Sequence, residues 1–479
     1  MDELIKIGSI DGKKDTPSEK SRLGIGFEKL DRDAFDPWKA YDLVSELGVR
    51  YVRIQSGWQK TEKTKGVYDF GWLDAIVDEL KKRGMEPWID LCYGNRLYTE
   101  SAENVFGAVG CPPIFTGREK EAWNNYVSET VRHFSGRVKW YEIWNEPDGI
   151  HCWKHGVNPH EYAEFAIATA RTIQTADPKA KAIAGALCSV NLPYFKDIFE
   201  DGVCSEADAV SFHRYSADER NAADEIRALR ALIDQYNPHV AIIQGESGAQ
   251  SSPRGCGALK GGSWTPLKQA KHLLRNRLVD LSSEVIFTSH FTSIDMFEAL
   301  NGNTDDKKSF LDYGYFGVIQ ADFDENGMAT GNYRPKSAYK ALQHLTALFH
   351  GDEIHTALPV KRMTMPSAGT FGTDESGSSV IMLGFSSARG TAMAYWNAAD
   401  LMTETFEGTV SFQLAGEKEA PLLINLLSGD VYRIPDGMIK RESAMITGLI
   451  NLPLSDTPFI LAFGKFADYE TDRIGAEKS

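Results

Sequence analysis

Two glutamates, Glu146 and Glu246, each follow an apolar run and could work as a pair. Glu146 ends the stretch V-K-W-Y-E-I-W-N-E-P-D at residues 138–148, and Pro147 has no N–H with which to continue a strand. Glu246 ends a second run, V-A-I-I-Q-G-E-S-G, at residues 240–248. Continuous apolar runs of this length are typical of buried parallel strands. Both carboxyl groups are therefore predicted at the C-terminal ends of strands.

The spacing of the two glutamates indicates what chemistry they could do. They are 100 residues apart, which is about three βα units when roughly 250 residues form eight units of a barrel. Strands three units apart would bring the two carboxyl groups to one barrel mouth. Cleavage of a glycosidic bond uses such a pair, in which one group protonates the leaving oxygen while the other attacks the anomeric carbon or activates water.

If Glu146 is the group that protonates the leaving oxygen, it needs a raised pKa to stay protonated until substrate arrives. Burial against apolar surface raises the pKa of a carboxyl group. Trp140 and Trp144 precede Glu146 in the sequence, so they are expected to form an apolar wall beside it. Asn145 is the expected hydrogen-bond partner of the sugar 2-hydroxyl. Alternatively, Glu146 forms a strand-end salt bridge and Asn145 caps a turn.

Eight apolar runs alternating with helical stripes would position these residues. The strands are predicted at residues 23–27, 49–54, 87–91, from 138 onward, 182–187, 207–212, 240–248 and 285–289, and the helices at 38–47, 73–80, 161–175, 222–236, 266–281 and 335–350. Eight alternations in one direction predict an α/β fold, a (β/α)8 TIM barrel.

The pattern changes after residue 350. Short β-rich runs follow at residues 380–385, 391–396, 409–414, 422–427 and 459–463, separated by turn residues, and predict an antiparallel β-sandwich. The predicted division is an N-terminal segment over 1–20 with a candidate strand at 4–7, a catalytic barrel over 21–350, a sandwich over 351–470 and a tail over 471–479.

The motif W-N-E-P at residues 144–147, with a second glutamate three strands later, resembles the retaining glycoside hydrolases of clan A. Within the clan, the chain up to residue 350 is most similar to family 39, the family of β-xylosidases and α-L-iduronidases. The resemblance implies that Glu146 is the acid/base and Glu246 the nucleophile of a double displacement. It also implies an accessory sandwich that early residues can join.

The same resemblance implies roles for residues around the two glutamates. Arg53, at the end of the second predicted strand, matches the clan's usual arginine and would keep Glu246 ionised. Tyr215 resembles the residue of strand 6 that hydrogen-bonds the nucleophile, and His213 lies beside it. A surface salt bridge for Arg53, or core packing for the other two, is the alternative.

The stretch H-F-T-S-I-D-M-F-E-A, at residues 290–299, resembles the family's strand 8 segment. Asp295 and Glu298 match carboxylates near the sugar. His290 stands where tryptophan is usual, and Asp148 where asparagine is commoner, so the chain departs from the family at two positions that bear on the substrate.

Aromatic and amide residues follow several predicted strand ends and are candidates for sugar contact. Aromatic faces stack on the C–H side of sugar rings, and amides bind hydroxyl groups. The candidates are Trp58, Tyr93, Asn95, Tyr98, Trp153 and Trp264. Each alone is more often a packing residue, but their collection on these loops predicts a sugar-binding mouth.

Composition limits the classes of partner. The 479 residues are 42% hydrophobic and 25% charged, with a net charge of −15, which argues against nucleic acid or an anionic membrane as partners. The N-terminus M-D-E-L-I-K-I-G-S-I lacks the basic residues of a signal peptide. We therefore expect a cytoplasmic protein with reduced cysteines, although a secreted form with a trimmed leader stays open, as does a homo-oligomer.

The predicted function is a retaining glycosidase that cleaves β-linked glycosides, exo-acting on oligosaccharides because the loops after strands 3, 4, 7 and 8 are long enough to enclose a pocket. The alternatives are a transglycosylase, an endo-acting β-glycanase and a non-catalytic carbohydrate-binding barrel. His151 and His155, near Cys152, have a spacing that a metal could use. A glycine and proline context with no third placed ligand favours an ordinary loop, so neither metal nor cofactor is predicted.

Overall fold

The computed structural model describes residues 4–12, 16–104, 109–298, 312–363, 379–416 and 420–471. After an N-terminal strand, β1 (Ile5–Ser9), eight parallel strands close into a barrel in chain order. They are β2 (Leu23–Gly26), β3 (Tyr51–Gln55), β4 (Glu86–Leu91), β5 (Trp140–Ile143), β6 (Lys181–Leu187), β7 (Ala209–His213), β8 (Ala241–Ser247) and β9 (Thr288–His290). The predicted TIM barrel is confirmed.

Helices connect the strands and cover the outside of the barrel. They are α1 (Tyr41–Ser45), α2 (Trp58–Thr61), α3 (Gly71–Lys82), α4 (Ser101–Asn104), α5 (Gly117–His133), α6 (Pro159–Ala176), α7 (Leu192–Glu200), α8 (Ala222–Ile233), α9 (Pro266–Ser282) and α10 (Ser337–Leu348), with 3-10 turns at Leu30–Arg32, Pro37–Lys39, Val203–Ser205 and Asp436–Met438. In α3 the buried stripe of Leu73, Ile76, Val77 and Leu80 follows the helical period.

Four helices, α2, α4, α5 and α7, were not predicted from the sequence, and α5 and α7 are the two longer ones. Helix α5 begins with a capping box, in which the Thr116 side chain accepts from the backbone N–H of Glu119 and the Glu119 side chain accepts from that of Thr116. Helix α7 begins at Leu192 with Asn191 as its N-cap and Pro193 in its first turn. Both start signals are present in the sequence, so capping residues were the signal that the apolar pattern alone did not provide.

The barrel interior has an apolar layer and a charged layer. Trp88, Ile183, Ile243 and Phe287 are buried together, with Trp140 packed against them. Two residues beyond Trp88 and Trp140 on the same strands, Asp90 and Glu142 are fully buried. The strands therefore pass from an apolar layer into a charged layer as they approach their C-terminal ends.

The remaining strands form short ribbons and a sandwich. The ribbons pair β10 (Met296–Phe297) with β11 (Tyr313–Gly314) and β12 (Ile319–Gln320) with β13 (Arg334–Pro335). The sandwich strands are β14 (Ile354–His355), β15 (Val360–Arg362), β16 (Val380–Ser387), β17 (Gly390–Asn397), β18 (Glu407–Ala415), β19 (Leu422–Asn425), β20 (Asp430–Arg433), β21 (Ile439–Ser443), β22 (Ile446–Ser455), β23 (Phe459–Gly464) and β24 (Glu470–Thr471).

The sandwich strands form two antiparallel sheets. The larger runs β14-β16-β17-β23-β19-β20-β1-β24, and the smaller runs β15-β18-β22-β21. Residues 5–9 thus belong to the larger sheet, where β1 pairs with β20. Tyr395 and Phe412, from the two sheets, pack edge to face in the core between them. The α/β barrel with an accessory antiparallel sandwich is the fold class that the sequence predicted.

The sandwich docks on helix α9, which follows the strand that carries Glu246. Arg275 donates to the carbonyl oxygens of Asn397 and Ala399, and Lys271 pairs with Asp456 at 2.7 Å. Both members of that ion pair are almost fully buried. In the described part of the chain, no helix has the length and apolar character that crossing a membrane requires.

Candidate active site

Glu146 and Glu246 lie at the same end of the barrel and line one cavity of about 540 Å³. Glu146 follows β5 in a left-handed conformation with φ of 48°, and its N–H donates to the carbonyl oxygen of Ala186. Glu246 is the penultimate residue of β8. A carboxylate oxygen of each lies within 4.8 Å of the other and of a ring nitrogen of His213.

Two histidines hold the carboxyl group of Glu146 from opposite sides. His213 Nδ1 lies 2.9 Å from Glu146 Oε1 and 3.9 Å from Glu246 Oε2, so its ring stands between the two glutamates. His151 Nε2 lies 2.5 Å from Glu146 Oε2. His213 is fully buried, whereas the His151 side chain is 37% exposed.

These contacts determine where the protons of the site reside. Burial would raise the pKa of Glu146, but the hydrogen bonds and positive charges of His151 and His213 outweigh burial and lower this pKa. Burial would lower the pKa of His213, but Glu246 and Glu146 raise it to about 9. Hydrogen bonds to Cys152 and Glu146 raise the pKa of His151 to about 11. The protons therefore sit on the histidines and Glu146 is ionised.

This result corrects the expectation that an apolar wall raises the pKa of Glu146. Trp140 packs with the apolar layer of the barrel. Trp144 is fully buried, and its Nε1 donates to the carbonyl oxygen of Cys152. Neither tryptophan lines the cavity, so Glu146 is surrounded by imidazoles.

Glu246 is held by one cation and one hydroxyl group. Arg53 Nη1 lies 2.9 Å from Glu246 Oε2, and the Tyr215 hydroxyl donates to Oε1. Burial raises the pKa of Glu246, while His213, Arg53 and Tyr215 act against this increase. Arg53 also donates to Asn145 Oδ1 at 2.8 Å and to Glu142. Arg53 thus contacts both Glu246 and Asn145, the residue before Glu146.

Several of the residues selected from the sequence surround the cavity. Tyr93, Asn145, Tyr215 and Glu298 line it together with the two glutamates, and Arg53 and His213 support those glutamates from behind. Lys29, also in the lining, pairs with Glu298 at 3.3 Å. The cavity wall therefore offers hydroxyl, amide, carboxylate and ammonium groups, which suits a ligand rich in hydroxyl groups.

Seven residues that the sequence analysis placed near the sugar do not line this cavity. These are Trp58, Asn95, Tyr98, Trp153, Trp264, His290 and Asp295. Tyr98 stacks on Trp58. Trp58 stacks on Tyr126 and donates to Glu62, whose backbone oxygen also accepts from Asn95.

The other four of these residues are buried away from the cavity. Trp153 packs edge to face against Trp144, and Trp264 donates to the carbonyl oxygen of Leu259. Asp295 pairs with Lys336 at 2.6 Å. His290 is 1% exposed within β9. A strand-end position gives the place of a residue but not the direction of its side chain.

Sequence reasoning missed several polar residues of the lining, among them Glu28, Gln55 and His151. Glu28 follows β2 and lies 3.2 Å from Arg53, and Gln55 is the last residue of β3. Burial raises the pKa of Glu28 to about 7 despite Arg53. His151 was considered only as a metal ligand with His155, which instead bonds to Glu161. Polar residues at the ends of β2 and β3 were a usable signal for the first two.

Comparison with known proteins agrees with this architecture. Residues 29–234 match the model of glycosyl hydrolases family 39. A beta-xylosidase of Geobacillus stearothermophilus is 25% identical over 275 residues, which cover 48% of this chain and 52% of the relative. A beta-xylosidase of Caldicellulosiruptor saccharolyticus is 27% identical over 193 residues, covering 36% of this chain and 38% of the relative. The alignments thus span about half or less of these relatives.

Solved structures show the same fold. The GH39 enzyme from Xanthomonas axonopodis pv. citri superposes with a TM-score of 0.58 at 16% identity, covering 96% of this chain and 97% of that chain. A GH39 beta-xylosidase from Caulobacter crescentus gives 0.56 at 17% identity, covering 95% and 99%. These likenesses concern the fold of barrel and sandwich together. Residues 29–234 are thus similar to glycosyl hydrolases of family 39, and the solved structures share the fold of the whole chain.

Proposed function

We propose that the protein is a retaining glycoside hydrolase acting on β-linked glycosides, in the manner of a β-xylosidase. The observation that carries this proposal is the placement of Glu146 and Glu246 in one cavity, with carboxylate oxygens within 4.8 Å of each other. Retaining glycosidases hold their carboxyl groups about 5 to 5.5 Å apart, and inverting ones about 6.5 to 9.5 Å apart. The spacing therefore favours direct attack by a carboxylate.

In the first step, Glu246 attacks the anomeric carbon while the bond to the leaving oxygen breaks. Arg53 and the Tyr215 hydroxyl hold the attacking carboxylate. Glu146 gives a proton to the leaving oxygen and forms the aglycone alcohol. Because Glu146 is ionised beside two protonated imidazoles, His151 or His213 supplies that proton across its hydrogen bond as the leaving oxygen approaches.

In the second step, water replaces the sugar ester. Glu146, again a carboxylate once the proton has passed to the leaving oxygen, accepts a proton from a water molecule that attacks the anomeric carbon and frees Glu246. Two inversions give net retention of configuration. Asn145, fixed by Arg53, faces the cavity as a partner for the 2-hydroxyl.

The glycone and the mode of action are the finer parts of the proposal. The two curated relatives described above are named beta-xylosidases, which supports xylose as the first sugar to test. A cavity of about 540 Å³ lined by Tyr93, Glu298 and Lys29 supports exo action on short oligosaccharides. A transglycosylase would use the same residues with a sugar acceptor in place of water.

The test is a panel of aryl β- and α-glycosides, with xylosides, arabinosides, galactosides and glucosides, followed by proton NMR of the first-formed sugar. We expect hydrolysis of a β-glycoside with the β-anomer as first product, and loss of that activity in Glu146→Ala for substrates with poor leaving groups. Asp148→Asn, which restores the residue commoner in the family, is the matched control. First release of the α-anomer from a β-glycoside would contradict the proposal.

A further inference from the structure

A cluster of side chains beside Glu146 combines three kinds of metal ligand. Glu146, His151 and Cys152 each offer one ligand atom, and the three atoms lie within 4.8 Å of one another. A carboxylate oxygen, an imidazole nitrogen and a thiol are ligands that Zn²⁺ and the softer Cd²⁺ favour. All three residues line the cavity, so a cation can reach them through the substrate opening.

Binding of a zinc ion would require shifts of these ligand atoms. Zn–N distances of about 2.0 Å and Zn–S distances of about 2.3 Å place tetrahedral ligand atoms roughly 3.3 to 3.8 Å apart. His151 and Glu146 are 2.5 Å apart, so the cation would replace the proton between them and spread them slightly. The His151 side chain is 37% exposed and can shift. The fourth position would stay open to water.

A second cluster, formed by Glu146, His213 and Glu246, is less suited to a cation. Arg53 lies 2.9 Å from Glu246, so its fixed positive charge would repel the metal. His213 is fully buried, and this second cluster contains no cysteine. Cys152 therefore distinguishes the first cluster from the second.

We propose that Glu146, His151 and Cys152 form a soft-metal site that captures Zn²⁺ or Cd²⁺ and thereby blocks the proposed acid/base. A bound cation takes the carboxylate oxygen that would carry the proton to the leaving group, so activity stops until a chelator removes the metal. The binding claim stands independently, whereas the inhibition rests on the proposed function of Glu146.

The experiment is a titration of the reduced 479-residue protein with Cd²⁺, monitored by the ultraviolet charge-transfer band between thiolate and metal. We expect one tight site per chain, loss of the band in Cys152→Ser, and affinity weakened at least about tenfold in His151→Ala and Glu146→Gln. Cys256→Ser, another thiol of the cavity lining, should keep the site. Thermal melts verify that each variant is folded.

A wild type without the band, or a band that survives in Cys152→Ser, would overturn the proposal. Loss of the site in Cys256→Ser with retention in Cys152→Ser would also overturn it. Enzyme assays with Zn²⁺ and then EDTA form a separate arm. If the glycoside panel gives no activity, the proposed function fails while the Cd²⁺ titration still decides the metal site.

Discussion

At the scale of single residues, the site is governed by which group holds each proton. Glu146 is ionised because His151 and His213 bond to it, and the pKa of His213 is about 9. Coupled groups share their protons, so titration describes the set of groups and not one residue. The proton that would reach the leaving oxygen is therefore lost only at the pH where the histidines lose theirs. This distribution of protons could not be predicted from the sequence, because His213 is 67 residues from Glu146 along the chain.

The pH dependence of kcat/KM tests this distribution of protons. The pKa is raised to about 9 for His213 and to about 11 for His151, so both imidazoles are protonated below pH 9 and His213 is the first to lose its proton as the pH rises through 9. We therefore expect the alkaline limb of the profile near pH 9, measured with an aryl glycoside between pH 5 and 10. An alkaline limb below pH 7 would mean that Glu146 titrates as an isolated acid.

The Tyr215 hydroxyl is expected to matter through its hydrogen bond to Glu246. A hydrogen bond to a charged group is worth about 1.5 to 3 kcal/mol, so Tyr215→Phe should lower kcat about 10- to 100-fold if the bond strengthens in the transition state. Tyr93→Phe removes another cavity hydroxyl, one that accepts from Gln55 at 3.3 Å, and serves as the control. Equal effects on kcat in the two variants would contradict a specific role for Tyr215.

At the scale of elements, the two glutamates lie at the ends of strands, and capping residues stabilise the helices that connect these strands. Helix α5 leads to β5 and thus to Glu146, and it begins with the Thr116–Glu119 capping box. We expect Thr116→Ala to cost about 1 kcal/mol of unfolding free energy, measured by thermal and denaturant melts, with unchanged kcat.

Thr172 is the matched control for that measurement, because its hydroxyl bonds to Ala168 on the exposed face of α6. Thr172→Ala should change the unfolding free energy by less than about 0.5 kcal/mol. Equal losses in the two variants would mean that the capping box does not stabilise α5.

The positions of the strands could be predicted from the sequence, but the directions of the side chains after them could not. Apolar runs predicted the barrel strands, and their ends placed Glu146 and Glu246 at one mouth. Patterns along the chain could not tell that Trp58 and Trp264 turn inward, because side-chain direction after a strand depends on packing from other elements. Helix α5 was missed because its buried positions include Glu119 and Thr130 among the apolar ones.

At the scale of the whole molecule, barrel and sandwich are joined through buried charge. Lys271 of α9 pairs with Asp456 of the sandwich at 2.7 Å. Removing one member of a buried pair typically costs about 3 to 5 kcal/mol, because the other charge stays buried without a partner. Asp456→Ala should therefore lower the melting temperature by several degrees.

The double variant Lys271→Met/Asp456→Leu provides the control for that loss. An apolar pair of similar volume should recover most of the stability, as measured by the same melts. If Asp456→Ala melts like the wild type, the ion pair does not couple the two parts of the molecule.

The central claim is that Glu246 is the nucleophile of a retaining glycosidase, and rescue by azide tests it most directly. Glu246→Gly, assayed on the glycoside that the wild type hydrolyses best, should be inactive alone. With azide it should regain activity and produce the glycosyl azide of inverted configuration, because the small anion takes the place of the missing carboxylate. Hydrolysis that persists in Glu246→Gly without azide would contradict the claim and assign the attack to another group.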